Sequence, residues 1–274
     1  MRRTGILVAG AMLAGCSYLQ RGSTAGTAAK PSAEKAPAAK ISTGKLTSAG
    51  SVLRAMHDRF GGKYIKTMSF LNNNTAYTTT GEERHSQWYE HIEFPGKLRI
   101  AFLPATQKSG LVQVGDKVAS FDNGMRIDFR PNVNPTLLLT GDVYVSPLAT
   151  IMRGLDSLGV DTDVLRTDEW EGRPVYVIGA KAADTTSSQM WVDSERLQLV
   201  RFIQREKQPS RTIISDIRVR NYKDVQGYEI PTEYLTLRNG RPVWREQYAD
   251  IRVNETFPAG TFDQARWNDI PIPK

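Results

Sequence analysis

The sequence contains one cysteine, Cys16, and only three histidines among 274 residues. A single thiol cannot form an intramolecular disulfide, and it cannot supply the paired thiolates of a structural zinc site. His85 and His91 are six residues apart in an extended stretch, which separates them by roughly 20 Å and prevents them from sharing a metal ion. The chain also lacks the H-E-x-x-H, G-x-S-x-G, G-x-x-x-x-G-K-[ST] and G-x-G-x-x-G motifs. The sequence therefore predicts no enzyme, no metal site and no cofactor.

Two acidic stretches need a separate interpretation. In "EHIE", strand alternation places Glu90 on the opposite face from His91, so their side chains do not converge on one ligand. The sequence favours solvated or hydrogen-bonded strand positions there. Asp161 and Asp163 begin like a calcium loop, but the later ligands and the central glycine are missing, which indicates a turn between a helix and a strand.

The N-terminus has no hydrophobic run long enough to span a membrane. Its apolar stretch, from Gly5 to Leu13, has nine residues, whereas a spanning helix needs about 20. It follows Arg2 and Arg3 and precedes two small residues. This layout is typical of a secretory signal peptide.

Leu13-Ala14-Gly15-Cys16 resembles the lipobox of bacterial lipoproteins. The resemblance implies that residues 1–15 are a lipoprotein signal peptide and that Cys16 becomes the acylated first residue of the mature chain. The alternative is an ordinary cleaved signal with a cysteine nearby by chance. Ser17 follows the cysteine, where an aspartate commonly marks inner-membrane retention in this family. The resemblance therefore implies a lipid anchor in the outer membrane, on its periplasmic face.

Residues 16–46 contain little that can be buried, and their composition predicts a disordered, lipid-anchored tether. As a flexible coil its ends would be about 30 Å apart. The tether carries +4 of the net charge of +7, and Arg2 and Arg3 carry another +2, which leaves +1 for residues 47–274. The folded part therefore has no basic surface of the kind that binds nucleic acid, and the predicted partner of the tether is the membrane.

Residues 47–274 predict one mainly antiparallel β domain with two helical regions. Ser51 is the expected cap of an opening helix that Gly61 and Gly62 end. Eleven alternating stretches then predict strands, and Asn123-Gly124 and Asn239-Gly240 predict tight hairpins between four of them. A helix with Ser146 as its cap and Pro147 in its first position interrupts the strands. "NPTLLLTG", just before it, is a second apolar piece.

This arrangement resembles the LolA/LolB-type fold, and more narrowly the outer-membrane lipoprotein-sorting proteins. The resemblance rests on five stretches between residues 56 and 248: "MHDRFGGKYIKTMSF", "QWYEHIEFPGKLRI", "DEWEGRPVYVIGA", "QMWVDSERLQLVRFI" and "GYEIPTEYLTLRNGRPVWREQY". It implies an unclosed half β-barrel with a helical lid over an apolar cavity. The soluble carrier of that family has no anchor, so the tether favours a receptor or resident component.

Side chains from two strands and the inserted helix are the expected ligand-binding residues. They are Trp88, Ile92, Phe94, Leu98, Ile100 and Phe102, covered by Leu148, Ile151, Met152 and Leu155. Periodicity alone also fits a solid core of the same residues, because protein interiors pack as densely as organic crystals. The resemblance favours the cavity.

The expected function is binding of a hydrophobic ligand, either lipoprotein acyl chains or another envelope lipid, in outer-membrane sorting. The alternative is an envelope sensor or protein-interaction module that uses the same fold and pairs with a partner strand at an exposed sheet edge. An undetected hydrolase is the third hypothesis.

Overall fold

The computed structural model describes residues 46–60, 62–128 and 131–271. The predicted signal peptide, Cys16 and residues 16–45 of the predicted tether lie outside the described residues. Leu46 is half-buried and packs against the main core. None of the helices in the described ranges is both long enough and apolar enough to span a membrane.

Thirteen strands form one antiparallel sheet. They are β1 Thr67–Tyr77, β2 Glu83–Glu93, β3 Lys97–Phe102, β4 Gly110–Val114, β5 Lys117–Asp122, β6 Met125–Asp128, β7 Leu165–Trp170, β8 Arg173–Ile178, β9 Gln189–Asp193, β10 Leu199–Gln208, β11 Arg211–Val225, β12 Tyr228–Arg238 and β13 Arg241–Val253. Their order in the sheet is β6-β5-β4-β3-β2-β1-β13-β12-β11-β10-β9-β8-β7. The sheet is not closed, because within the described residues β6 and β7 are its two edges. The predicted unclosed antiparallel fold is confirmed.

The chain crosses from one sheet edge to the other through a helical insert. It contains α2 (Pro135–Thr140), a 3₁₀ turn at Asp142–Tyr144 and α3 (Leu148–Ser157). Since the insert joins β6 to β7, it spans the open side of the curled sheet. The main core lies between the sheet and these helices, together with the opening helix α1 (Ala49–Asp58).

Both predicted helix caps are wrong, that of α1 by three residues and that of α3 by one. Ser48 caps α1, and Ser51 completes a capping box: its amide donates to the Ser48 hydroxyl and its hydroxyl accepts from the Ser48 amide, both at 3.1 Å. Helix α3 begins at Leu148, with Pro147 in the cap position and no side-chain cap. Ser146, the predicted cap, is buried instead.

Two strands, β1 and β7, are not among the predicted ones. Strand β1 contains "NNN", which has low strand propensity, yet it lies at the centre of the sheet between β2 and β13. Asn72 and Asn74 alternate with half-buried residues and are themselves buried. Strand β7, "LRTDEW", is polar because it is an edge strand with no fully buried residue.

The C-terminal segment after β13 covers the outer face of β3, β4 and β5. Trp267 stacks on Phe121 with ring centroids 4.5 Å apart, and both belong to a second small core with Ala101, Val112 and Ala119. Arg99 points into this layer and is only 1% exposed. Its guanidinium donates to the carbonyl oxygens of Trp267 at 3.0 Å, Ile270 at 3.4 Å and Thr261 at 3.5 Å. Arg99 therefore holds the segment against the sheet.

Candidate functional site

A cavity of about 140 Å³ lies between the concave face of the sheet and α2. Its walls come from both halves of the sheet, and its cover comes from α2 and the residues before it. The lining residues include Met68, Ile92, Leu98, Leu111 and Val118 from β1 to β5, Ile217, Ile230, Tyr234 and Trp244 from β11 to β13, and Asn132, Pro135, Leu137 and Thr140 from the insert. Most of the surface they present is apolar.

Local sequence explains the position of α2. The Asn134 side chain accepts a hydrogen bond from the Leu137 amide at 3.1 Å, and Pro135 occupies the first turn, where its missing N–H costs nothing. Two tyrosine hydroxyls then hold the end of the helix. Tyr64 donates to the Thr140 carbonyl oxygen at 3.1 Å, and the Tyr234 hydroxyl lies 3.2 Å from Thr140 Oγ1.

Three of the ten predicted ligand-binding residues line this cavity: Ile92, Phe94 and Leu98. The others lie outside its lining. Ile100, Ile151 and Leu155 are fully buried in the main core, and Phe102, Leu148 and Met152 are half-buried against that core. Trp88 packs beside the cavity, with its ring 5.3 Å from Trp244 and 5.2 Å from Phe102.

The predicted cover therefore needs a correction. Helix α2 covers the cavity, and no residue of α3 lines it. The apolar stripe of α3 packs into the core near α1 instead. The α3 side chains Ile151 and Leu155 are buried in the main core, whereas the cavity lies under α2.

Two carboxyl groups point into this largely apolar space. Asn72 Nδ2 lies 2.7 Å from Glu90 Oε1 and 3.3 Å from Glu246 Oε2, so one amide group bridges the two acids. Glu246 also accepts hydrogen bonds from Trp244 Nε1 at 3.0 Å and from the Tyr248 hydroxyl at 3.4 Å. The register explains the arrangement: Asn72 pairs with Trp88 on β2 and with Tyr248 on β13, which makes Glu90 and Glu246 its diagonal neighbours.

Burial raises the pKa of both acids. For Glu90, loss of hydration is the main cause and the nearby Glu246 carboxylate adds to it, which raises the pKa from 4.5 to about 8, while the Asn72 hydrogen bond acts in the opposite direction. Loss of hydration also raises the pKa of Glu246, against three hydrogen bonds that lower it. The pair therefore retains a proton at neutral pH when nothing else is bound.

Glu90, predicted as a solvated or hydrogen-bonded strand position, is buried and hydrogen-bonded to Asn72, so only the second interpretation holds. The available signal is the strand alternation, which places Glu90 on the same face as Trp88 and Ile92. Glu246 and Asn72 have no such signal, because the first lies in a polar stretch and the second in a strand that propensity does not reveal. Within the described residues, no group of three His, Cys, Asp or Glu side chains is placed to hold a metal ion.

The short distance between Gly141 and Phe94 gives one testable prediction about the rim. A Cβ atom on Gly141 would lie 1.9 Å from Phe94 Cε1, so Gly141→Ala must displace a ring that lines the cavity. We expect a loss of about 1–3 kcal/mol in the free energy of unfolding, measured by urea denaturation. Gly50→Ala, in the first turn of α1 with no close neighbour, is the control and should be neutral or stabilising. An unchanged stability for Gly141→Ala would mean that Phe94 is not confined as described.

No protein-family model and no curated protein matches the sequence. Solved structures do match. A LolA superfamily protein from Nitrosomonas europaea is 16% identical, with a TM-score of 0.53, over 80% of this chain and 99% of the other. The chain has a LolA-like fold.

Two further structures show the same LolA-like fold. A DUF1329 family protein from Desulfovibrio piger is 10% identical, with a TM-score of 0.56, over 80% of this chain and 97% of its own. A domain from Vibrio parahaemolyticus, classed as an outer membrane lipoprotein-sorting protein, is 9% identical, with a TM-score of 0.53, over 80% of this chain and 96% of its own. At these identities the likeness concerns the fold.

Proposed function

We propose that the protein binds an apolar ligand in the cavity under α2, as a lipid-anchored component of the bacterial envelope. The observation that carries the proposal is the cavity itself, about 140 Å³ with a mainly apolar lining. An apolar cavity of about 150 Å³ is large enough to bind benzene. The LolA-like fold supports the same function, because a structure with this fold is classed as an outer membrane lipoprotein-sorting protein.

The size of the cavity limits what it holds without rearrangement. It has room for a small apolar group or the end of an acyl chain, whereas a chain of some 16 carbons needs the insert to move away from the sheet. The Tyr64 and Tyr234 contacts with Thr140 are among the hydrogen bonds that such a movement breaks. Since each is worth only about 1 kcal/mol net, a ligand that buries a few more methylene groups outweighs them.

The proposed location and cargo come from the sequence. We propose that the chain from Cys16 is acylated and held at the periplasmic face of the outer membrane by its tether. The proposed cargo is a lipoprotein acyl chain or another envelope lipid, with the protein acting as a receptor or resident component of sorting. The cavity is compatible with each of these cargoes, because its lining recognises apolar surface.

A series of n-alcohols tests the binding function. In isothermal titration calorimetry of the Cys16→Ser chain, the dissociation constant should fall about fourfold for each added methylene, from butanol upward. The improvement should stop once the chain fills the cavity. Absence of any saturable binding would contradict the proposal.

A cavity-filling substitution gives the matched variant. Leu111 lines the cavity from β4 and is only half-buried, so Leu111→Trp should fill the space and weaken hexanol binding at least about tenfold at a tolerable cost in stability. Val114→Trp, on the same strand but exposed, is the control and should bind hexanol normally. Equal affinities in the two variants would place the binding elsewhere.

An envelope protein-interaction module is the second candidate. The edge strand β6 exposes Met125 at 68% and Ile127 at 48%, and its outer side pairs with no other strand of the described chain. An incoming strand of a partner protein would pair there. Recovery of one defined protein from envelope extracts, lost in Ile127→Pro, would support this function.

A further inference from the structure

The side chains that can charge the cavity near neutral pH, among the described residues, are all carboxyl groups. Among the described residues that line it, Glu90 and Glu246 are the only carboxyl groups, and none is a lysine, an arginine or a histidine. Buried carboxylates in proteins are normally paired with a cation or a set of donors. Here both acids accept from the Asn72 amide, and Glu246 also accepts from Trp244 and Tyr248, but all of these donors are neutral and no described lining residue supplies a cation.

Glu90 and Asn72 do not use all of their hydrogen-bonding capacity. Glu90 is 4% exposed, and among the described residues it accepts a hydrogen bond from Asn72 Nδ2 on its Oε1 atom. The Oδ1 atom of Asn72 is buried without a partner. Native structures leave few such atoms, and each one calls for a partner. Because Glu90 lines the cavity, a bound molecule can supply donors to it.

The walls around the two acids are aromatic. Trp244, Tyr248 and Tyr234 all line the cavity next to Glu246. The Trp244 N–H and the Tyr248 hydroxyl donate to Glu246 at 3.0 and 3.4 Å, so these two aromatic side chains contact this carboxyl group directly. Aromatic faces attract cations, and they do so most strongly in a desolvated site.

We propose that the cavity recognises the ammonium group of an amphiphilic amine, with its alkyl chain along Ile92, Leu98 and Leu111. The ammonium group donates to Glu90 and Glu246, which supplies the missing positive charge and the missing donors in one group. This inference rests on the proposed binding function and specifies its ligand. It predicts a preference for amines over alcohols and over acids of equal chain length, since a carboxylate ligand would meet the negative charge of the acid pair with no cation among the described lining residues.

Three six-carbon probes test the preference: hexylamine, hexanol and hexanoate. In calorimetric titrations of the full Cys16→Ser chain at pH 7, hexylamine should bind at least about tenfold more tightly than hexanol, and hexanoate more weakly than both. Hexylamine binding should also release protons, detected as heats that depend on the ionisation enthalpy of the buffer. The reason is that a bound cation favours the ionised form of both carboxyls.

Isosteric substitutions assign the preference to the two acids. Glu90→Gln/Glu246→Gln should bring the affinities for hexylamine and hexanol within about threefold of each other and abolish proton release. Glu206→Gln removes a half-buried carboxyl that does not line the cavity. It should change neither the affinities for hexylamine and hexanol nor the release of protons.

The outcomes separate this inference from the function on which it rests. Tight hexanol binding without an amine preference would overturn the inference and leave the apolar binding function in place. Saturable binding of none of the three probes would overturn both.

A short aminophospholipid identifies the source of the amine. In dihexanoylphosphatidylethanolamine the ammonium group is linked to a phosphate, which would bring a negative charge toward the two acids. We expect it to bind no more tightly than dihexanoylphosphatidylglycerol, which lacks the amine. A clear preference for the aminophospholipid that depends on Glu90 and Glu246 would overturn our restriction to net-cationic amines.

Discussion

Replacing Arg99 with alanine should lower the free energy of unfolding by about 4 kcal/mol. The guanidinium of Arg99 donates to three carbonyl oxygens of the C-terminal segment and lies 4.1 Å from the Trp267 ring centroid. Loss of hydration lowers its pKa to about 10, so it remains charged at pH 7. The alanine variant leaves a void and buried carbonyl groups without donors.

Urea denaturation measures this loss, and hydrogen exchange locates it. In the Arg99→Ala variant, the amides of residues 257–271 should lose their protection from exchange before those of the sheet, because Arg99 holds this segment against β3. Arg241→Ala, at the exposed start of β13, is the control and should change stability by less than about 0.5 kcal/mol. A change of under about 1 kcal/mol for Arg99→Ala would show that the C-terminal segment is held by its aromatic contacts instead.

The buried acids should make the protein less stable at pH 8 than at pH 5. Glu90 has a pKa of about 8 in the folded state and 4.5 as its ordinary value, so between these values the folded chain binds more protons than the unfolded chain. The free energy of unfolding therefore falls as pH rises through this window and is constant above it. The raised pKa of Glu246 acts in the same direction.

Glu90→Gln isolates this effect from other titrating groups. Burial raises the pKa of Asp142 to about 6, which adds to the fall in the free energy of unfolding with rising pH. Burial lowers the pKa of His91 to about 4, which opposes this fall in acid. Asp142 and His91 are present in both proteins, so their contributions cancel when the two free energies of unfolding are subtracted. At pH 8 the variant should be more stable than the natural chain by on the order of 2 kcal/mol, and the difference should shrink toward pH 4.5. A difference that is independent of pH would contradict the burial of a titrating carboxyl.

Local rules account for most of the sheet. The two Asn-Gly turns have both residues at positive φ, with Asn123 at 49° and Gly124 at 77°, and Asn239 at 49° and Gly240 at 80°. These are the conformations that a tight hairpin requires, which is why the register on either side of them is predictable. Eleven of the strands follow from such turns and from alternation.

The candidate site depends on contacts that local rules do not contain. Asn72 lies in a strand that propensity argues against, and its partners are residues 18 and 174 positions away in the sequence. Arg99 alternates like an outward-facing residue, and only the return of the C-terminal segment buries it. The roles of α2 and α3 are similarly ambiguous, because both have apolar stripes and only the fold decides which one lies over open space.

The most direct test of the proposed function is methyl NMR of the Cys16→Ser chain titrated with hexanol. We predict saturable shifts at Ile92, Leu98 and Leu111, which line the cavity under α2, and unchanged signals from Ile151 and Leu155, which are buried in the main core outside its lining. Shifts only at exposed methyl groups such as those of Ile127, or no saturation at all, would contradict a ligand-binding cavity in this protein.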